Sequence, residues 1–180
     1  MRATPLAVTA LAAALLLTAC DSGGSSNSSA EEREVTQSTK PGEPCKMHNV
    51  AMHLGPANSA PAVGDTGNLA VTVINRDAEC TVDGLPAASV DTGDTVGKVP
   101  VDKAAKPQKL TLAKDAEVSF TLTYVRGEEG GAKSLAAKTL KIYLPGDTSP
   151  RDFPWEYGDV ALKSGDVPDA SLSGFQQTGD

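Results

Sequence analysis

The sequence predicts an all-β domain, an antiparallel β-sandwich of immunoglobulin-like outline with one disulfide, preceded by a signal peptide and a polar tether. Three observations predict it. Downstream of Cys45, apolar residues recur at every second position rather than every third or fourth. Clusters of Gly, Asp and Asn break these runs at short intervals, as turns do. No ten-residue segment after Cys45 carries a helical period.

Three runs carry the alternation most clearly. In 68–75, Leu69, Val71 and Val73 share one face. In 116–124, Val118, Phe120, Leu122 and Tyr124 point inward while Glu117, Ser119, Thr121 and Thr123 point outward. In 138–144, Leu140, Ile142 and Leu144 are the buried set. One polar and one apolar face is the pattern of half-buried antiparallel strands. Shorter strands are expected at 46–54, 81–82, 88–91, 96–101, 109–112, 160–162 and 170–175. Turns are expected at 64–67, 83–84, 92–94 and 114–115.

The 180 residues allow one domain and a tail rather than two full cores. A net charge of −7 argues against nucleic acid as a partner, since a nucleic-acid binder needs a basic face. The tail reads as an address. Arg2 precedes an apolar stretch at 6–17 that is too short to span a bilayer, which takes about 20 residues. It ends in Leu17-Thr18-Ala19-Cys20, which resembles the lipobox of bacterial lipoproteins. That resemblance implies diacylglyceryl transfer to the Cys20 thiol and cleavage after Ala19. Two acyl chains meet the requirement for stable anchoring. The expected organisation is a signal peptide at 1–19, a lipidated cysteine with a Ser/Gly/Glu tether at 20–43, and the β-domain at 44–178. The tether has almost nothing to bury and is expected to act as a flexible spacer.

Three cysteines are an odd number for an exported chain. With Cys20 assigned to lipid, Cys45 and Cys80 remain as a pair, and outside the cytoplasm such thiols oxidise. Neither lies in a C-x-x-C motif, so the bridge is read as structural, joining the first strand to the third.

The order Cys45, Leu69-x-Val71-x-Val73-x-Asn75, Cys80-x-Val82-x-Gly84-x-Pro86, Leu112 and Leu144-Pro145-Gly146 resembles an actinobacterial exported family. That family is described as domain of unknown function 4232 (DUF4232). The resemblance covers about 44–175. It implies an exported or lipid-anchored domain with a Cys-to-Cys bridge in its first half, and it implies no activity. Members often carry a further cysteine before the strand containing Leu140. Here that stretch contains Ala132, Ser134 and Ala136, so no second bridge is expected.

Candidate chemistry is sparse. Asp65-Thr66-Gly67 and Asp91-Thr92-Gly93 look like the paired elements of aspartic proteases, where two carboxylates share a proton. The short spacing leaves no room for two protease lobes, and the triplets are read as hairpin turns. Met47-His48 and Met52-His53 offer copper-ligand types, with His48, Met52 and His53 the alternative metal set. On one extended strand, however, His48 and Met52 lie roughly 13 Å apart. Phe153, Trp155 and Tyr157 form an aromatic cluster around Pro154, which belongs on an edge or loop. Such a cluster either stacks on a partner or plugs the core. Lys98, Lys103, Lys106, Lys109 and Lys114 either face anionic envelope material or guard edges and loops. The chain has no Gly-x-Ser-x-Gly, phosphate loop or His-Glu-x-x-His.

The expectation is therefore a lipid-anchored module on the extracytoplasmic face of the cell membrane. It is expected to be non-catalytic and without cofactor, with an envelope protein or cell-wall glycan as partner. The competing readings are a copper-handling lipoprotein and a hydrolase.

Overall fold

In the computed structural model, residues 42–55 and 57–177 are described. The expected signal peptide, Cys20 and nearly all of the tether lie outside them. The described chain is built of strands: β1 (Val50–Leu54), β2 (Thr66–Asn75), β3 (Cys80–Gly84), β4 (Ala87–Asp91), β5 (Val96–Val99), β6 (Gln108–Leu112) and β7 (Glu117–Val125). They continue with β8 (Ser134–Leu135), β9 (Thr139–Tyr143), β10 (Arg151–Pro154), β11 (Val160–Ser164), β12 (Val167–Pro168), β13 (Ala170–Leu172) and β14 (Gln176–Gln177).

One sheet runs β1-β2-β7-β13, with β14 also on β7, and a second runs β10-β9-β4-β5. The pair β3-β6 and the small sheet β12-β11-β8 complete the body. Neighbouring strands within these sheets are antiparallel. The two large sheets meet along one side, where Val101 forms a parallel bridge with Leu172. There Asp102 donates to the Leu172 carbonyl at 2.8 Å, and Leu172 donates to that of Pro100 at 3.0 Å.

The expected alternation is present. Leu69, Val71, Val73, Val118, Phe120, Leu122, Tyr124, Leu140, Ile142 and Leu144 are all buried in a single hydrophobic cluster. Cys45 and Cys80 are bonded, with Cα atoms 5.0 Å apart.

Several boundaries differ from expectation, each for a local reason. The first strand starts at Val50 rather than residue 46, because the Asn49 N–H closes a turn onto the Lys46 carbonyl at 2.9 Å. The disulfide therefore joins the segment before β1, not β1 itself, to the first residue of β3. Thr66 and Gly67 already belong to β2, and Asp83 and Gly84 finish β3 instead of forming its turn. The strand expected at 170–175 breaks after Leu172, where the Thr121 N–H is capped by Ser173 Oγ at 2.9 Å. Strands β8, β10, β12 and β14, at two to four residues each, are too short to show a period.

Asn75 is the chief polar residue of the interior, fully buried at the end of β2. Its Nδ2 donates to the carbonyls of Ala78 (2.9 Å) and Leu112 (3.0 Å), with Ala113 at 3.3 Å, and its Oδ1 accepts from Asp77 N–H (3.0 Å). One amide thus holds the β2–β3 and β6–β7 turns together. Asn75→Ala leaves those backbone groups without their partner and is expected to destabilise the domain by about 2–3 kcal/mol, read by denaturant unfolding. Asn75→Asp keeps the acceptor but removes both donors, so a similar loss is expected.

Candidate functional site

The sheets converge on an aromatic pole. Tyr124, the last inward residue of β7, is fully buried. Its ring centroid lies 5.0 Å from that of Trp155 and 6.2 Å from that of Tyr157, and Trp155 lies 5.1 Å from Tyr157. The pairs with Trp155 are edge-on, a favoured geometry for aromatic rings. Gly67 faces Tyr124 across β2–β7, and any Cβ there would overlap the phenol ring. The Tyr124 hydroxyl accepts from Ala60 N–H at 3.3 Å and donates to the Tyr157 carbonyl at 3.5 Å. Trp155 Nε1 donates to the Gly158 carbonyl.

Around this stack, charged side chains fix the loops. Arg126 Nη1 donates to the carbonyls of Ala60 and Pro61, each at 3.1 Å. Asp159 accepts from Gly130 N–H at 2.9 Å, and Asp65 from Ala62 N–H at 3.0 Å. Val63, Arg126, Glu129 and Asp159 help line a groove of about 390 Å³ on this pole, with Val63 62% exposed. Partial burial, with Glu156 nearby, pushes the Tyr157 phenol up in pKa.

Of the three aromatics expected to cluster, Trp155 is buried and Tyr157 half-buried within the stack, while Phe153 packs separately against the core from β10. Pro154 ends an edge strand, where its missing N–H leaves no gap in the ladder. The indole is a wall of the core rather than a platform for sugar.

The candidate copper ligands are not assembled. Met47 and Met52 are buried in the core, whereas His48 and His53 are exposed. Met52 shares the inward phase of Val50, and His53 has the opposite phase. Among the described residues, no group of three or more His, Cys, Asp or Glu converges to hold a metal ion.

The two Asp-Thr-Gly triplets act as turn caps on different sheets. Asp91 accepts from Gly93 N–H at 2.7 Å, and this bond, with Lys141 alongside, holds its carboxyl below the usual range. Lys141 lies 3.4 Å from both Asp91 and Asp152, and its ammonium is raised, chiefly by Asp152. Lys98, Lys103, Lys106, Lys109 and Lys114 are all exposed. Lys98 sits on β5 and Lys109 on β6, the latter 4.0 Å from Asp83, and the others occupy loops.

A second set, unmarked in the sequence, clamps the start of β1. Asp147 accepts from Met47 N–H at 2.8 Å and from Ser149 N–H at 3.1 Å. Arg151 Nη2 donates to the carbonyls of Met47 at 3.0 Å and Val50 at 3.3 Å. The Met47 bond is the main reason the Asp147 carboxyl is held below its ordinary value. A carboxyl depressed by folding stabilises the fold above its unfolded pKa of about 3.9 and loses that effect as pH falls through the lower folded value. The stability gap between the parent chain and Asp147→Ala is therefore expected to be full above about pH 5 and to shrink steadily below about pH 4. Thermal melts across that range check it.

The family model described as Domain of unknown function (DUF4232) matches residues 45–174. No curated protein and no solved structure matches the chain.

Proposed function

The chain belongs to the DUF4232 family, and on that premise we propose that it is a lipid-anchored, extracytoplasmic binding or scaffolding module whose two large sheets stack as an immunoglobulin-like sandwich. The observation that carries the reading is the aromatic pole. Of its ionisable residues, Arg126, Asp159 and Asp65 are committed to backbone groups that set loop shape. Loops ordered in this way lose little entropy on binding, the property that a recognition surface needs. The partner is an envelope protein or a cell-wall glycan, met at the groove beside Val63 and Tyr157. Anchoring rests on the Leu17-Thr18-Ala19-Cys20 motif and two acyl chains.

Cross-linking on living cells, with identification of captured neighbours, tests the reading. The expected result is a specific neighbour whose capture falls on Val63→Glu. Capture that Val63→Glu leaves unchanged would move the interaction off this pole. Intact mass of the membrane-extracted protein is expected to show a start at Cys20 with a diacylglyceryl addition, and any other start overturns the anchoring.

A further inference from the structure

We propose that the groove between residues 46–48 and 147–151 is a binding site for a phosphate group, held by Lys46, His48, Ser149 and Arg151. These four side chains help line an open groove of about 500 Å³ beside the start of β1. It lies at the other end of the five-stranded sheet from the aromatic pole, because Val50 pairs with Asn75 at one end of β2 and Tyr124 pairs with Gly67 at the other. The site is therefore separate from the groove beside Val63, and it stands or falls independently of it.

Arg151 is the fixed point. Its Nη2 donates to the carbonyls of Met47 at 3.0 Å and Val50 at 3.3 Å, so the guanidinium is in place before any ligand arrives. A guanidinium carries five N–H donors, and Nε and Nη1 have no acceptor among the described residues. Lys46 and His48 form no ion pair among those residues either. Asp147 is the one carboxylate lining the groove, and both its oxygens are engaged, Oδ2 by Met47 N–H at 2.8 Å and Oδ1 by Ser149 N–H at 3.1 Å. The Met47 bond chiefly holds that carboxyl low, with the Ser149 N–H and the Lys46 charge adding to the effect, which places the Lys46 ammonium near the groove. Lys46 and Arg151 thus face a single carboxylate already turned to the backbone, on a chain whose net charge is −7. A cleft with an excess of positive charge gathers anions. Arg126 makes the contrast: it is anchored on carbonyls in the same way, but its groove is lined by Glu129 and Asp159 and by no second cation.

The donor set selects the anion. An ammonium, an imidazole, a hydroxyl and a guanidinium come from two chain segments that the fold brings together. A carboxylate offers two oxygens in one plane, too few for all of them. A phosphate monoester offers three terminal oxygens pointing in different directions, and its bonds to Lys and Arg are charge-assisted. The groove also has room for the alcohol to which such a phosphate is esterified. That phosphate is either a lipid headgroup's or one that is free or borne on a soluble polyol.

Titration of the full-length, isotope-labelled protein in a neutral, phosphate-free detergent tests the site. Inorganic phosphate and glycerol 3-phosphate are expected to shift the amide signals of Lys46, His48 and Ser149 saturably, whereas acetate at the same ionic strength shifts them little. Lys46→Glu is expected to weaken glycerol 3-phosphate binding about tenfold, as loss of a charge-assisted bond does. Lys163→Glu changes the net charge equally, in a cleft it shares with Thr66 and Val125 at the pole end, and is expected to leave the affinity unchanged. Neither lysine is buried, and circular dichroism should show both variants folded. Bilayer discs distinguish the sources, an arm that rests on the proposed lipid anchor while the titration does not. If discs carrying phosphatidic acid shift the same amides without added ligand, and discs of phosphatidylcholine do not, the site reads a headgroup; if neither does, a saturable titration supports a free or polyol-borne phosphate. No saturable shift at these amides, a response to acetate equal to that to phosphate, or equal losses from Lys46→Glu and Lys163→Glu each overturns the proposal.

Discussion

Tyr124→Ala is expected to lower the unfolding free energy by about 3–5 kcal/mol, the usual range for truncating a large buried aromatic. The ring is fully buried, touches Trp155 and Tyr157, and receives the Ala60 N–H on its hydroxyl. Truncation therefore opens a cavity and unties the 57–62 loop together. Denaturant unfolding measures the loss, and a red shift of Trp155 emission should accompany it as water reaches the indole. Tyr124→Phe keeps the ring and is expected to cost only about 1 kcal/mol. Gly67→Ala approaches the same ring from β2 and should disrupt it by overpacking instead. A Tyr124→Ala loss below about 1 kcal/mol would mean that the pole is a loose surface patch.

Replacing both Cys45 and Cys80 by serine is expected to cost a comparable amount. The bridge closes a sequence separation of 35, worth about 4 kcal/mol in the chain-entropy model. The cost should be felt at a defined place, because the segment carrying Cys45 also hydrogen-bonds β3 through Glu43 and Thr81. Amide exchange in β3 is therefore expected to speed up more than in β7. A double variant with parental stability and unchanged β3 protection would show that the local hydrogen bonds suffice without the covalent link.

What the sequence made legible is what depends on period and composition. Val118, Phe120, Leu122 and Tyr124 announce a half-buried strand because alternate side chains meet different solvents. Cys45 and Cys80 could be paired because the third cysteine, Cys20, falls in a stretch that resembles a lipobox. The motif Asn75, Cys80, Gly84 and Pro86 marked the family, and the structure supplies physical reasons for its members. Asn75 ties two turns together, and Gly84 has a φ of +125°, a backbone state that other residues rarely adopt. The hidden part depends on partners distant along the chain. Asp147 and Arg151 look like ordinary loop charges until the fold brings them to Met47 and Val50, about a hundred residues away. Trp155 read more readily as a plug than as a platform, and what it plugs, the Tyr124 ring opposite Gly67, comes only from the fold.

The joining of the two large sheets through Val101 and Leu172 has a consequence for how the polypeptide acquires its shape. Leu172 is among the last strand residues of the domain to be synthesised, and it is needed both beside β7 and beside the 100–102 segment. A nascent chain halted before residue 170 leaves two ladders open at once, so the domain matures late and nearly all together. Slow folding governed by remote pairings is the kinetic signature of such a topology, and truncations removing β13 should be rapidly digested by proteases that spare the finished molecule.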